Sequence, residues 1–284
     1  MKKNKWIKWG IAGSVAAAVL VMLDALFFEK YFFQITTYSI GNANSTKRLK
    51  LLFLTDLHFR KKLWPFHKRL ARKINSLMPD LILITGDVVD KTGQPAPARR
   101  FFNLISYHIP KVAILGNHDH KGRVHIATFK KIYEQHNCTL LINESKAFTI
   151  GGMRLMITGV DDFIEGDPAF KQAVQNIGWE EHHILLVHSP LQGEAVYQQI
   201  ETINAERSKE NHINISYILA GHNHGGQVRF FGYAPVQPEM SGAYLNGWYS
   251  NDKTHMYISK GFGTSAIPFR FGARSEVTVF DYGV

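Results

Sequence analysis

The sequence contains very little cysteine, since Cys138 is the one cysteine among 284 residues. A lone cysteine excludes an internal disulfide and a thiolate metal cluster, so any metal must be held by histidine, aspartate or asparagine. The sequence also lacks long charge blocks, low-complexity tracts and internal repeats, which excludes a disordered or repeat architecture. Hydrophobic residues make up 45% and aromatic residues 12% of the chain, which is typical of a globular domain with a full core.

Acidic residues are outnumbered: 33 lysines and arginines against 23 aspartates and glutamates give a formal charge of +10. A basic protein suits an anionic partner such as a phosphate compound, a nucleic acid or an acidic lipid surface, and the charge alone does not choose among them. The 14 histidines provide the nitrogen ligands that the missing cysteines cannot.

An apolar run from residue 7 to 28 follows a cationic N-terminus and has the length of a bilayer span. The cations that precede it are Lys2, Lys3, Lys5 and Lys8. Their excess predicts a cytoplasmic N-terminus and an exported remainder, hence a single-pass protein of the cell (inner) membrane. Asp24 lies inside the run and predicts that the span ends near it. A cleaved signal peptide and a buried core helix are the competing interpretations.

The rest of the chain is interpreted as one domain behind this anchor. We divide the sequence into a cytoplasmic lead and transmembrane anchor at 1–30, a linker at 31–48 and a globular domain at 49–284. A basic, aromatic segment at 60–66 lies early in the domain and could contact lipid headgroups or a substrate phosphate.

Five short apolar segments each end in side chains that can bind metal. They end, in chain order, in Asp56-Leu57-His58, Gly86-Asp87, Gly116-Asn117-His118-Asp119, His188 and Gly221-His222-Asn223-His224. Alternate residues of an extended chain point the same way, so Asp56 and His58 can reach one ion. Each motif alone also fits a capped turn or a satisfied core histidine. Their succession predicts a shared site at the edge of a sheet.

Imidazoles, two carboxylates and an amide oxygen together are what two adjacent divalent ions need. Mixed nitrogen and oxygen ligands suit manganese, iron or zinc and are too rich in nitrogen for calcium. Two ions about 3.5–4 Å apart lower the pKa of a shared water and stabilise both oxygens of a phosphoryl displacement. The sequence therefore predicts hydrolysis of a phosphoester.

These motifs resemble the calcineurin-like metallophosphoesterase family over residues 49–284. The resemblance implies an α/β fold, a four-layer α/β/β/α sandwich of two mixed sheets, here preceded by one N-terminal transmembrane helix. It implies two divalent ions, manganese first and iron or zinc as alternatives. The implied ligands are Asp56, His58 and His224 for the first metal, Asp87 as the bridge, and Asn117, His188 and His222 for the second. It further implies that His118 contacts the scissile phosphate and protonates or stabilises the leaving group, oriented by Asp119.

The segment from Gly221 to Val228 and the tail from Gly261 to Arg274 resemble a membrane-associated bacterial branch of this family. That branch includes envelope phosphodiesterases and enzymes that cleave UDP-2,3-diacylglucosamine to the lipid A precursor lipid X. Asn223 stands where threonine is usual, and Lys2 and Lys3 stand where a twin-arginine export signal would need arginines.

The sequence leaves two candidate classes of substrate. Hydrolysis of UDP-2,3-diacylglucosamine is the first expectation, although UDP-sugars are cytosolic and the charge pattern exports the domain. A broad-specificity phosphodiesterase acting on envelope lipids or polymers is the second expectation. An inactive metal-binding scaffold is the alternative from another class. A membrane tether makes nucleic acid the less suitable partner.

Overall fold

The computed structural model describes residues 2–122, 124–251 and 253–284. The α-helices are α1 Lys2–Leu23, α2 Glu29–Tyr31, α3 Pro65–Leu77, α4 Pro95–Phe102, α5 Asn117–Lys121, α6 Ile126–Glu134, α7 Phe170–Ala173 and α8 Pro190–Ala205. The strands are β1 Gln34–Gly41, β2 Arg48–Leu54, β3 Leu81–Thr85, β4 Lys111–Ile114, β5 Cys138–Leu140, β6 Glu144–Ile150, β7 Met153–Gly159, β8 His183–Leu186, β9 Tyr217–Ala220, β10 Gly247–Ser250, β11 His255–Ile258 and β12 Glu276–Gly283.

The strands form two mixed six-stranded sheets. The first has the order β1-β12-β2-β3-β4-β5, and the second has the order β10-β11-β9-β8-β7-β6. Strands β2 to β5 are mutually parallel, as are β7, β8, β9 and β11, while β12 runs against β2. The carboxyl ends of parallel strands meet at one edge of a sheet, where open α/β sheets place their ligands.

Alternation along β2 explains the layering. Leu51 and Phe53 belong to the core between the two sheets, whereas Leu52 and Leu54 face the core shared with α3, α4 and α6. A third core lies between the second sheet and α7 and α8. The expected four-layer α/β/β/α sandwich is confirmed.

One element lies where the sequence predicted a linker at 31–48. Residues 34–41 form β1, which pairs in parallel register with β12 from Gln34 opposite Glu276 to Gly41 opposite Gly283. The linker prediction is wrong for these residues. The strand is half exposed and carries threonine and serine, because an edge strand with one neighbour needs no continuous apolar run.

The N-terminal helix is long and apolar enough to cross a membrane over Trp9–Tyr31, and 6% of its most apolar window is buried. The stretch is therefore not a core helix. Helix α1 ends at Leu23, but the helical segment continues as a π-helical turn from Asp24 and then as α2. The apolar candidate span therefore runs to Tyr31, beyond the end near Asp24 that the sequence predicted. The side chains of Lys2, Lys3, Lys5 and Lys8, on which the predicted orientation depends, lie outside the described part of the structure.

The end of this helical segment is fastened to a loop that we call the strap (residues 261–275). The backbone oxygen of Ala25 accepts a hydrogen bond of 3.1 Å from the Arg270 N–H. The Glu29 carboxylate accepts bonds from the N–H groups of Gly272 at 2.7 Å and Ala273 at 2.9 Å. The helix therefore joins the domain through specific hydrogen bonds as well as through the chain.

Replacing Glu29 by alanine should remove the carboxylate contact between the helical segment and the strap. Without its carboxylate the amides of Gly272 and Ala273 lose their acceptors, which is worth about 1.5–3 kcal/mol for a bond to a charged group. We expect their hydrogen exchange to accelerate about tenfold or more, measured by mass spectrometry on the full chain. The control is Glu206→Ala, which removes an exposed pair with Lys171 and should leave both amides unchanged. Unchanged exchange in Glu29→Ala would show that the strap is held by other contacts.

Candidate metal centre

All the side chains that the sequence assigned to the site converge where the two sheets meet. The first sheet contributes residues that follow β2, β3 and β4, and the second contributes residues that follow β8 and β9. They are Asp56, His58, Asp87, Asn117, His118, Asp119, His188, His222 and His224, each at most 8% exposed. Nine polar side chains buried together need partners that offset the cost of their burial.

The first group of donor atoms surrounds a point near His58. Its Nε2 lies 3.0 Å from Nε2 of His224 and 3.4 Å from Oδ2 of Asp87. Nε2 of His224 lies 3.5 Å from Oδ1 of Asp56. These atoms belong to three different strand ends and face one another.

The second group surrounds a point near His188. Its Nε2 lies 3.0 Å from Oδ1 of Asn117 and 3.2 Å from Nδ1 of His222. Oδ1 of Asp87 lies 3.5 Å from the same nitrogen. Asp87 thus offers one carboxylate oxygen to each group, which is the geometry of a bridging ligand.

These spacings fit a pair of divalent ions. Ligand atoms about 2.0–2.2 Å from a common ion lie about 3.0–3.6 Å apart at ordinary coordination angles. Two imidazole nitrogens at 3.0 Å, such as those of His58 and His224, repel unless a proton or a cation lies between them. Oδ1 of Asp56 points into the same space and is buried with no hydrogen-bond partner among the described residues. A cation would satisfy all three atoms.

Hydrogen bonds to backbone oxygens fix the orientation of two histidine rings at the site. Nδ1 of His188 lies 2.7 Å from the Thr85 backbone oxygen, and Nε2 of His222 lies 2.6 Å from that of Glu239. A carbonyl can only accept, so these nitrogens carry the proton and the opposite nitrogens are left with free lone pairs.

Electrostatics favour the charge states that metal ligands need at Asp87, His222 and His224. Burial alone would raise the pKa of Asp87, but the nearby His188 and His58 more than offset this and hold it below its ordinary value. Burial, together with the positive charge of neighbouring histidines, lowers the pKa of His222 and of His224. An ionised aspartate and neutral imidazoles are the forms that bind metal. Burial would lower the pKa of His58 and of His188, but the neighbouring aspartates more than offset this and raise it, so a metal ion would have to displace a proton from these two rings.

Backbone conformation at the site is unusual. Five of the seven predicted ligands have a positive φ, namely Asp56 (54°), His58 (47°), Asp87 (51°), His222 (71°) and His224 (50°). Residues other than glycine seldom adopt this left-handed region, and such residues concentrate at functional sites. The residue types at these positions do not by themselves indicate this backbone conformation.

The Asp119 carboxylate does not take the role that the sequence predicted, which was to orient the His118 imidazole. It accepts hydrogen bonds from the backbone N–H groups of Val89 at 2.9 Å and Gly116 at 3.1 Å. Burial and the negative charge of Asp87 raise the pKa of Asp119 to about 6. Asp119 therefore joins the end of β4 to the turn after β3.

Asp90 is the carboxylate that lies beside His118. Its Oδ2 is 3.6 Å from Nδ1 of His118 and 3.6 Å from Nδ1 of His58. Burial would raise its pKa, but these two rings and the hydrogen bonds from the Thr92 N–H and hydroxyl hold it below its ordinary value. Asp90 follows Asp87 by three residues, and no sequence signal singled it out. Nδ1 of His118 accepts a hydrogen bond of 3.3 Å from the Lys91 N–H, so the Asp90 carboxylate adds negative charge beside the ring without a hydrogen bond to it.

The mouth of the site is a small space of about 180 Å³. It is lined by Asp87, Asn117, His118, His222 and His224, and also by Ser265 of the strap. Nε2 of His118 lies 3.4 Å from the Ser265 hydroxyl. A phosphate entering here would therefore meet the metal ligands and His118 together.

Gly116 should be intolerant of a side chain. A Cβ at this position would lie 2.6 Å from the Asp87 backbone nitrogen and 2.7 Å from Cε1 of His188. We expect Gly116→Ala to push these two ligands apart and to weaken metal binding about tenfold or more, as displaced ligands do. Metal content by elemental analysis and affinity by calorimetry measure this. The control is Gly178→Ala, whose Cβ would have its nearest neighbour at 3.2 Å, and full metal affinity in Gly116→Ala would contradict the geometry.

Comparison with known proteins gives a consistent picture. Residues 49–226 match the family model described as calcineurin-like phosphoesterase. The chain is 27% identical to the uncharacterized metallophosphoesterase YkuE of Bacillus subtilis, covering 99% of this chain and 97% of that protein. It is 30% identical to an uncharacterized metallophosphoesterase of Helicobacter pylori over 81% of this chain and 59% of that protein. It is 25% identical to a transmembrane protein with metallophosphoesterase domain from Bos taurus, over 82% of this chain and 53% of that protein.

Proposed function

The chain belongs to the calcineurin-like phosphoesterase family, whose members act as hydrolases on phosphoester bonds, and from this premise we propose that it is a membrane-tethered, two-metal phosphodiester or pyrophosphate hydrolase. The observation that carries the proposal is the division of the Asp87 carboxylate between two groups of donor atoms, 3.4 Å from His58 and 3.5 Å from His188. A filled set of ligands argues against the inactive scaffold.

We assign the ligands as the sequence predicted them. Asp56, His58 and His224 would hold the first ion, Asp87 would serve both ions, and Asn117, His188 and His222 would hold the second. Divalent metal bound here supplies an activated water and neutralises the charge that develops on the phosphate. Manganese is our first choice because the donor set mixes nitrogen with oxygen and contains no thiolate.

The protein's own residues orient the substrate and move the proton. His118 lies at the mouth with Nε2 toward the open space, so it can donate a proton to the leaving oxygen. Its other nitrogen, Nδ1, accepts a hydrogen bond from the Lys91 N–H at 3.3 Å, which orients the ring, and the Asp90 carboxylate lies 3.6 Å from the same nitrogen. We propose that Asp90 helps to position His118 by its charge and that Asp119 supports the ends of β3 and β4.

We propose two candidates for the natural substrate. UDP-2,3-diacylglucosamine is the first specific candidate, since it has a pyrophosphate bond and acyl chains that hold it at a membrane. A broad-specificity phosphodiesterase of envelope lipids or polymers is the alternative. The cations before the apolar run favour the alternative, because they predict a domain outside the cell membrane.

Metal removal and His118→Ala should separate binding from catalysis. We expect chelation to abolish cleavage of bis(p-nitrophenyl) phosphate and added manganese to restore it. His118→Ala should retain metal, measured by elemental analysis, while kcat falls about 10²–10⁴-fold, the usual contribution of a general acid. The control is His108→Ala on the exposed loop before β4, which should keep full activity. Full activity in His118→Ala would refute its role.

The side of the membrane decides between the substrates. We expect alkaline phosphatase fused after Val284 to be active and green fluorescent protein fused there to be dark, as for an exported C-terminus. The reverse pattern would restore UDP-2,3-diacylglucosamine as the leading candidate. A direct assay of UDP-2,3-diacylglucosamine cleavage with the metal-loaded protein completes the comparison.

A further inference from the structure

A second cavity, of about 450 Å³, adjoins the mouth of the metal centre. Both spaces are lined by His224, Pro238 and Ser265, which form their common wall. The rest of the larger cavity is mostly apolar, with Val228, Pro235, Val236, Ala266, Ile267 and Phe269 in its lining. Its size is that of a ligand pocket, about 300–1,000 Å³, and the hydrolysis itself gives it no task.

The cavity opens through a group of exposed apolar side chains that we call the apolar rim. Its members are Phe230 (53% exposed), Phe231 (110%), Tyr233 (70%), Val236 (76%) and Ile267 (39%). Single exposed apolar residues are normal, whereas a cluster of this kind marks a contact surface. Val236 and Ile267 belong to both the rim and the cavity wall.

The apolar rim is continuous with the end of the membrane helix. Arg229, next to the rim, donates hydrogen bonds to the backbone oxygens of Phe271 at 2.7 Å and Gly272 at 2.8 Å. The N–H of Gly272 in turn donates to Glu29 at the end of the helix. The Lys30 ammonium donates to the Pro268 oxygen at 3.0 Å, one residue after Ile267. A bilayer that held the helix would therefore lie beside the rim.

Two of the three amide side chains in the cavity wall are already engaged within the protein, and the third, Gln237, is exposed. The Asn223 amide already donates to the Tyr244 oxygen and accepts from the Ser241 hydroxyl, each at 2.8 Å. The Gln227 amide already donates to the Ile267 oxygen at 3.0 Å and accepts from the Ser265 N–H at 2.9 Å. Because these amides are engaged within the protein, the wall recognises its ligand mainly through apolar contact.

We propose that this cavity binds one acyl chain of a membrane lipid, which enters from the bilayer through the apolar rim while its phosphoester lies at the metal centre. The inference rests on the proposed hydrolase function and names its substrate class as an acylated, amphipathic phosphoester. Burial of the chain in an apolar cavity supplies the binding free energy, and the shared wall at His224 sets the distance from chain to phosphate.

The test uses the full chain in phosphatidylcholine nanodiscs with manganese and two substrates, the methyl and octyl p-nitrophenyl phosphodiesters. We expect kcat/KM to be at least about tenfold higher for the octyl ester, because each buried methylene adds apolar contact. Val236→Asp and Ile267→Asp should lower the octyl-to-methyl ratio at least about fivefold, since a carboxylate in the wall opposes an alkyl chain. Val228→Phe should lower it by filling the cavity without adding charge.

The matched control is Tyr107→Asp. Tyr107 is 63% exposed and lies in the loop before β4, at the opposite edge of the sheet from the metal centre. It should keep the wild-type ratio. The octyl ester partitions into the nanodisc equally for every variant, so a ratio that changes only in the wall variants reports the cavity.

Each outcome decides the question. A ratio near one in the wild type, or the wild-type ratio in all three wall variants, overturns the acyl site while cleavage of the methyl ester still supports the hydrolase. If the metal-loaded protein cleaves neither ester, the hydrolase proposal fails, and calorimetry with dodecyl phosphate and inorganic phosphate then tests the cavity alone. Tighter binding of dodecyl phosphate that is lost in Val236→Asp supports the site, and equal loss in Tyr107→Asp overturns it.

Discussion

This structure depends on one constraint: nitrogen and oxygen atoms that can bind metal lie close together in a buried space. His58 and His224 bring two nitrogens to 3.0 Å, and Asp87 adds a carboxylate oxygen at 3.4 Å from the first. Such an arrangement is costly unless a cation satisfies the lone pairs. The first sheet supplies Asp56, His58, Asp87 and Asn117, and the second supplies His188, His222 and His224. Cation binding would therefore join the two sheets as well as prepare the site, since binding energy available only in the folded state also stabilises the fold.

Much of this arrangement could be predicted from local sequence. Short apolar segments that end in Asp, Asn or His mark the carboxyl ends of buried strands, so the sequence predicted the types of ligand and their order. The family resemblance added the prediction of the sandwich architecture. Edge strand β1 could not be predicted from the sequence, because its partner β12 lies more than 200 residues away in sequence and its own composition is polar. Pairing partners of that kind are set by tertiary contact and carry little local signal.

The carboxylate beside His118 shows a second limit of sequence reasoning. Asp119 is its neighbour along the chain, but α5 begins at Asn117, and one residue along a helix turns the side chain away by about 100°. Asp90 lies 28 residues earlier, and the turn after β3 brings it within 3.6 Å of the ring. Spacing along one segment could therefore not show which carboxylate lies beside the histidine ring.

The contacts of the strap indicate that the folded domain begins earlier in the chain than residue 49, the boundary that the sequence suggested. Arg270 is fully buried; its backbone N–H bonds to Ala25, and its guanidinium lies 3.1 Å from Nδ1 of His224 and donates to the Gly263 oxygen at 2.6 Å. Two contacts thus run from the end of the N-terminal helical segment through one arginine to a proposed metal ligand. Cleavage after Ala25 would deprive Arg270 of its backbone partner, and cleavage after Glu29 would also deprive the strap of that carboxylate. We therefore propose that residues from Ala25 onward belong to the folded domain, so that a signal peptidase cut, if there is one, must fall before that residue.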